Sequence, residues 1–170
     1  MEPKLIKGPD IFYKVIRILN HDFKIKILLT GPARGYLKDK FQKHNISYFH
    51  SYLKDYAELK NYYHALDLYL ITSREEGGPM GLLESLSSGV PVVSTNVGMA
   101  PDFINSKKIG VIVNTLDPKA IAEKIVDFLN TIQISKSKEI SRKVIMKADW
   151  RIVSKYHLDK VYREVLRENR

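Results

Sequence analysis

Glu76 and Glu84 stand eight positions apart on either side of a turn, Gly77-Gly78-Pro79-Met80-Gly81. Carboxylates accept hydrogen bonds from hydroxyls and stabilise positive charge. A glycine turn that opens into a helix presents free backbone N–H groups to an anion. Glu84 lies among Leu82, Leu83 and Leu86. A carboxylate buried there without a partner costs several kcal/mol, so it needs hydrogen-bond donors. Nearby backbone or a basic side chain can supply them, and so can a ligand; both readings stay open at this point.

The flanking elements follow from local pattern. The apolar run Leu68-Tyr69-Leu70-Ile71 reads as a buried strand. Pro79 is expected at the first helical position, and Gly89 ends that helix. Pro91-Val92-Val93-Ser94 is the next strand. Strand, glycine turn, helix N-terminus and strand form the layout of an anion site, because the helix dipole favours negative charge at its start.

The rest of the chain repeats strand and helix. Gly8-Pro9-Asp10 opens a helix with Pro9 at its first position and an apolar stripe of Ile11, Val15 and Ile18 with Phe12, Ile16 and Leu19. Lys7, just before it, reads on residue type alone as a surface lysine. Ile25 to Gly31 is a strand ending in a turn, Gly31-Pro32-Ala33-Arg34-Gly35, with Tyr36 to His44 a helix after it. Ile46 to Phe49 is a strand and Asp55 to Leu66 a helix, whose Tyr56, Leu59, Tyr63 and Leu66 read as core and rim. After Ser94 a loop carries Gly98, Met99 and Asp102. Ile109 to Val113 is the last strand, Asp117-Pro118 opens a helix to about Thr131, and helices over 136–148 and 150–168 finish the chain. The alternation predicts an α/β fold: a Rossmann-like parallel sheet with helices on both faces. Residues 1–170 are expected to form one domain, with 135–170 as a C-terminal extension. Such sheets bind ligands at the carboxyl ends of their strands.

Composition narrows the function classes. Apolar content of 44% and charged content of 28% fit a globular domain. No run approaches the length of a membrane helix. With no cysteine there is neither a disulfide framework nor a thiolate metal site, which fits a cytoplasmic protein. The formal net charge is +9, and residues 135–170 carry eleven Lys or Arg against five Asp or Glu. That excess reads first as a solvated helical face, then as a contact with an anionic membrane, and last as a nucleic-acid surface. The Tyr-rich helix over 55–66 lacks the flanking lysines of a base-stacking platform, so no nucleic acid is expected. There is no Asp-x-Asp motif, and no acid cluster suits a metal, so no metal and no cofactor is expected. The histidines at 21, 44, 50, 64 and 157 have no partner spacing that argues for catalysis.

From Lys7-Gly8-Pro9-Asp10 to about Phe128 the chain resembles the C-terminal, donor-binding domain of retaining GT-B glycosyltransferases, particularly family 4. The resemblance is carried by Glu76-x7-Glu84 followed by Ser88-Gly89-Val90-Pro91-Val92-Val93. It implies transfer of a sugar from a nucleotide sugar to a hydroxyl acceptor, with retention. It also implies that Lys7 and the N–H groups of Met80 and Gly81 meet the diphosphate, and that Glu84 accepts from the ribose hydroxyls. Glu76, the residue assigned to catalysis, would contact the donor sugar. Gly31, Gly77, Gly78 and Gly98 would complete the donor site by close backbone approach. The implied partners are an N-terminal GT-B domain, a glycan or lipid-linked sugar as acceptor, and a membrane inner face.

The chain departs from that pattern in three places. The usual first strand, central in the sheet and ending in Gly-Arg, is not found ahead of Lys7. Pro79 and Met99 stand where glycines are common. The first departure implies a fragment, or a gap covered by another segment or chain, so the isolated chain is expected to be inactive. Two other readings compete: another GT-B enzyme, such as a nucleotide-sugar epimerase or phosphorylase, and a non-catalytic basic module binding an anionic polymer or membrane surface.

Overall fold

The computed structural model describes residues 5–53, 55–132 and 134–168. The ends of the expected domain and of its C-terminal extension, at 1–4 and 169–170, lie outside the described residues. Helix α1 spans Pro9–Asp22, with Pro9 in its first turn as expected. Strand β1 (Ile27–Thr30) leads through α2 (Gly35–Lys43) to β2 (Tyr48–Ser51). Helix α3 (Tyr56–His64) is capped by Asp55, whose carboxylate accepts from the Ala57 N–H at 3.0 Å. Strand β3 (Tyr69–Ile71), α4 (Met80–Ser87) and β4 (Val92–Thr95) carry the glutamate turn. The short helix α5 (Ala100–Phe103), not foreseen from the sequence, precedes β5 (Gly110–Val113) and α6 (Pro118–Thr131).

All strand pairs are parallel, as expected, but the strands form two sheets among the described residues. One is β1-β2 and the other β3-β4-β5. Ile27 N–H donates to the Ser47 carbonyl just before β2, Gly31 N–H to the Ser51 carbonyl at the end of β2, and Tyr69 N–H to the Pro91 carbonyl beside β4. By the alternation of strand amides, Leu28 and Leu70 therefore face away from those partners. β4, with a neighbour on each side, is buried along its whole length, whereas β1 and β3 are only partly covered. The side chains of Ile25 and Leu70 bridge the two halves, each packing against the core beneath both sheets.

α1 also spans both halves, and this shifts its buried face. Ile11, Val15 and Leu19 pack with α6 residues Ile121, Ile125 and Phe128, while Tyr13 and Ile16 pack with Leu37 and Phe41 of α2. Tyr13 is buried beside the Phe41 ring, and Ile18, expected in the stripe, is exposed. Leu129 of α6 is exposed because that helix meets the core along Ile121, Ile125 and Phe128. α7 (Ile134–Ile145) packs on α4. The expected single helix over 150–168 is instead α8 (Trp150–Tyr156), a π-helical stretch (His157–Tyr162) and α9 (Arg163–Glu168). Trp150, Tyr156 and Tyr162 are exposed and do not pack on the sheet. Among the described residues no helix is long and apolar enough to cross a membrane.

Candidate functional site

The site is built where the carboxyl end of β3 meets the start of α4. Pro79 has extended backbone, with ψ 99°, so it caps α4 and Met80 is the first helical residue, one position later than expected. The Leu82 N–H already bonds the Pro79 carbonyl at 2.9 Å. The N–H groups of Met80 and Gly81 then stand at the helix start without an intrahelical acceptor.

The chain before α1 is locked against this end of β3. Gly8 has φ +61°, and a Cβ there would lie 1.8 Å from the Thr72 carbonyl oxygen. Thr72 Oγ1 donates to the Gly8 carbonyl at 3.0 Å. Arg74 donates to both carboxylate oxygens of Asp10, at 2.8 and 2.7 Å, and its N–H reaches the Ile6 carbonyl at 2.8 Å. The Arg74 hydrogen bond holds the Asp10 carboxyl below the usual carboxylate range. These contacts place Lys7 over the turn. Its Nζ lies 2.5 Å from Glu76 Oε1, and Ser73 Oγ donates to the same oxygen at 3.2 Å. The Glu76 side chain is 15% exposed, against 57% for Lys7.

Gly98 supports the turn from below. It has φ +47°, and a Cβ there would meet the Gly77 carbonyl oxygen at 2.2 Å, while the Met99 N–H donates to that oxygen at 3.2 Å. Met99 fills space over Gly78: its Cε lies 2.7 Å from where a Gly78 Cβ would be. Gly77 is open on its side-chain face. Gly31 stands at the end of β1, in the other sheet, where its carbonyl is 2.9 Å from His50 Nε2. Lys7, Glu76, Gly77 and Gly98 are therefore brought together, with Met80 and Gly81 next along the turn.

Glu84 faces α3. Its Oε2 accepts from the Tyr63 hydroxyl at 2.8 Å. The partner is thus a phenol rather than the backbone or basic group considered from the sequence. The Tyr63 ring packs on Tyr69, with centroids 5.7 Å apart. Burial foremost, with the neighbouring Tyr69 and Glu84, pushes the Tyr63 phenol far above its ordinary range. The Tyr69 phenol is also pushed up, first by burial; the hydrogen bond with Tyr63 and the charge of Arg34 oppose this, while the charges of Glu84 and Glu76 add to it. Both glutamates and the β1–α2 loop thus act on the one hydroxyl. Sequence reasoning missed Tyr63, Tyr69 and the Asp10–Arg74 pair. Tyr63 and Glu84 are 21 residues apart on separate helices, a spacing with no periodic signal. A cavity of about 350 Å³ opens beside Tyr63 and Glu84, with Lys60 and Arg142 at its wall. Among the described residues no three His, Asp or Glu side chains converge as a metal cluster would.

Residues 3–144 match the family model "Glycosyl transferases group 1". The chain belongs to that family, and its fold is that of GT-B glycosyltransferases. A curated relative, the lipopolysaccharide core biosynthesis mannosyltransferase LpsB of Rhizobium meliloti (strain 1021), is 29% identical over 106 residues, covering 59% of this chain and 30% of its own length. The chain thus spans less than a third of that relative. Among solved structures, sucrose-phosphate synthase from Thermosynechococcus elongatus superposes with a TM-score of 0.79 at 18% identity, over 96% of this chain and 43% of that one. The C-terminal domain of a glycosyl transferase group 1 family protein (LpcC) from Francisella tularensis gives 0.68 at 18% identity, over 85% of this chain and 80% of that one. S. aureus TarM, in a complex that includes UDP, gives 0.66 at 21% identity, over 98% of this chain and 33% of that one.

Proposed function

We propose that this domain binds a nucleotide-diphosphate sugar and, with an N-terminal partner domain, transfers the sugar to a hydroxyl acceptor with retention at the anomeric carbon. The observation that carries the reading is the meeting of Lys7 and Glu76 at the turn into α4, with Glu84 about one helical turn further in. The departing diphosphate takes the electron pair of the bond to the anomeric carbon. Lys7 and the N–H groups of Met80 and Gly81 stabilise the charge that develops there. Glu76 contacts the donor sugar, and Glu84 accepts from the ribose hydroxyls. Neither glutamate acts as general base; as the acceptor oxygen bonds the anomeric carbon, its proton passes to the departing diphosphate oxygen. Gly77, open on its side-chain face, lets the backbone approach the donor, while Gly78 leaves room for Met99 and Gly98 for the Gly77 carbonyl. No metal is required in this reading.

A glycan or lipid-linked sugar suits the acceptor, because the relative named above acts in lipopolysaccharide core biosynthesis. The UDP bound to TarM supports a nucleoside diphosphate here. The exposed apolar side chains of Trp150, Tyr156 and Tyr162, interleaved with Arg151, Lys155 and Arg163, suit a partner domain or a cytoplasmic membrane face. The family match favours neither an epimerase nor a non-catalytic basic module.

Calorimetric titration of the 170-residue chain with UDP, GDP and ADP tests the reading. Saturable binding of one nucleotide, lost in Glu84→Ala and kept in EDTA, is the expected result. Failure of a folded chain to bind any of the three, or binding indifferent to Glu84, overturns it.

A further inference from the structure

We infer that Tyr63 is the positioning residue for Glu84, holding one carboxylate oxygen so that the other is set to receive the vicinal hydroxyls of a ribose. The inference rests on the nucleotide reading above and names a residue that reading does not need. Among the described residues Tyr63 is the hydrogen-bond donor to that carboxylate, through Oε2 alone. Oε1 is left as the acceptor.

The donor is rigid. Tyr63 is buried at 7% exposure, and its ring is packed against Tyr69. The Tyr69 hydroxyl in turn lies over Gly81, only 2.2 Å from where a Cβ would stand. The two rings thus tie the position of Glu84 to the first turn of α4, where the phosphate-binding N–H groups begin. A free glutamate samples many rotamers, and fixing it before the ligand arrives lowers the cost of binding. The high pKa direction of Tyr63 keeps it a donor throughout the neutral range. The cavity of about 350 Å³ beside the pair leaves the carboxylate reachable from solvent.

A positioned carboxylate discriminates by what it leaves unpaired. A ligand lacking the hydroxyls leaves the positioned acceptor unused, so ribose recognition should depend on Tyr63 although Tyr63 need not touch the ribose. Truncating the Tyr63 hydroxyl then weakens the ribonucleotide and spares its dideoxy analogue. A merely structural tyrosine would affect both alike.

The test compares wild type, Tyr63→Phe and Glu84→Gln by titration with whichever of UDP, GDP and ADP binds, and with its 2′,3′-dideoxy counterpart. Melting curves check that Tyr63→Phe, which keeps the ring, stays folded. We expect Tyr63→Phe to bind the ribonucleotide about tenfold more weakly, as loss of a hydrogen bond to a charged group does, and the dideoxy form as wild type does. An equal loss on both ligands, or no loss on either, overturns the positioning role and leaves the nucleotide reading standing. No nucleotide binding by folded wild type, or no ribose preference in it, overturns both.

Discussion

Lys7 and Glu76, 69 residues apart in the chain, meet at 2.5 Å across the turn into α4. The lysine is the more exposed of the two. An exposed ion pair contributes about 0–1 kcal/mol, so its value lies in the position it gives the two charges rather than in folding.

That relationship separates stability from binding. Lys7→Met should move the melting temperature by no more than a few degrees. It should weaken the diphosphate by about tenfold or more, because a charge-assisted contact with phosphate is lost. Thermal melts and titrations on the same samples check both halves. A large loss of stability with unchanged affinity would assign Lys7 to the fold.

The Gly98 backbone is the stiffest demand of the turn. Gly98→Ala puts a methyl group 2.2 Å from the Gly77 carbonyl oxygen at φ +47°. The expected cost is about 1–3 kcal/mol, read by urea unfolding, with a parallel loss of nucleotide affinity as the Gly77 carbonyl is displaced.

Asp10 and Arg74 give a pH dependence of known sign. The Asp10 carboxyl is held below its ordinary range, first by its hydrogen bond from Arg74. A depressed carboxyl stabilises the fold above its unfolded pKa of about 3.9, and that contribution fades as pH falls through the lower folded value. Asp10→Asn should therefore be less stable than wild type by about 1–2 kcal/mol near neutral pH. The gap should close below about pH 4. Unfolding curves at several pH values test this; a gap independent of pH would show that packing, not charge, is lost.

The two-sheet arrangement predicts a pattern of amide protection. Leu28 and Leu70 face away from the partners that β1 and β3 have, while Val93 lies in a strand paired on both sides. Hydrogen exchange should be slow at Val93 and faster by orders of magnitude at Leu28 and Leu70. Equal protection would mean that the open edges are covered.

Local pattern determined much of this protein. Pro9 after Gly8, the apolar runs at Leu68–Ile71 and Pro91–Val93, and Gly89 behind a leucine-rich helix depend on backbone conformation and burial within a few residues of each other. They placed the strand-turn-helix unit and its two glutamates almost to the residue. The offset at Pro79 arose because a proline that fits the first helical position also fits the cap. Tertiary structure decided what those glutamates touch. Glu84 meets Tyr63 only because α3 packs beside α4, and Lys7 reaches Glu76 only because Gly8 seats the chain on Thr72. Tyr13 is buried and Ile18 exposed because α1 lies across two sheets, a geometry that helical periodicity does not contain. Periodicity reports which face of an element is apolar; which partner covers that face depends on contacts between residues distant in the chain, and these have no local code.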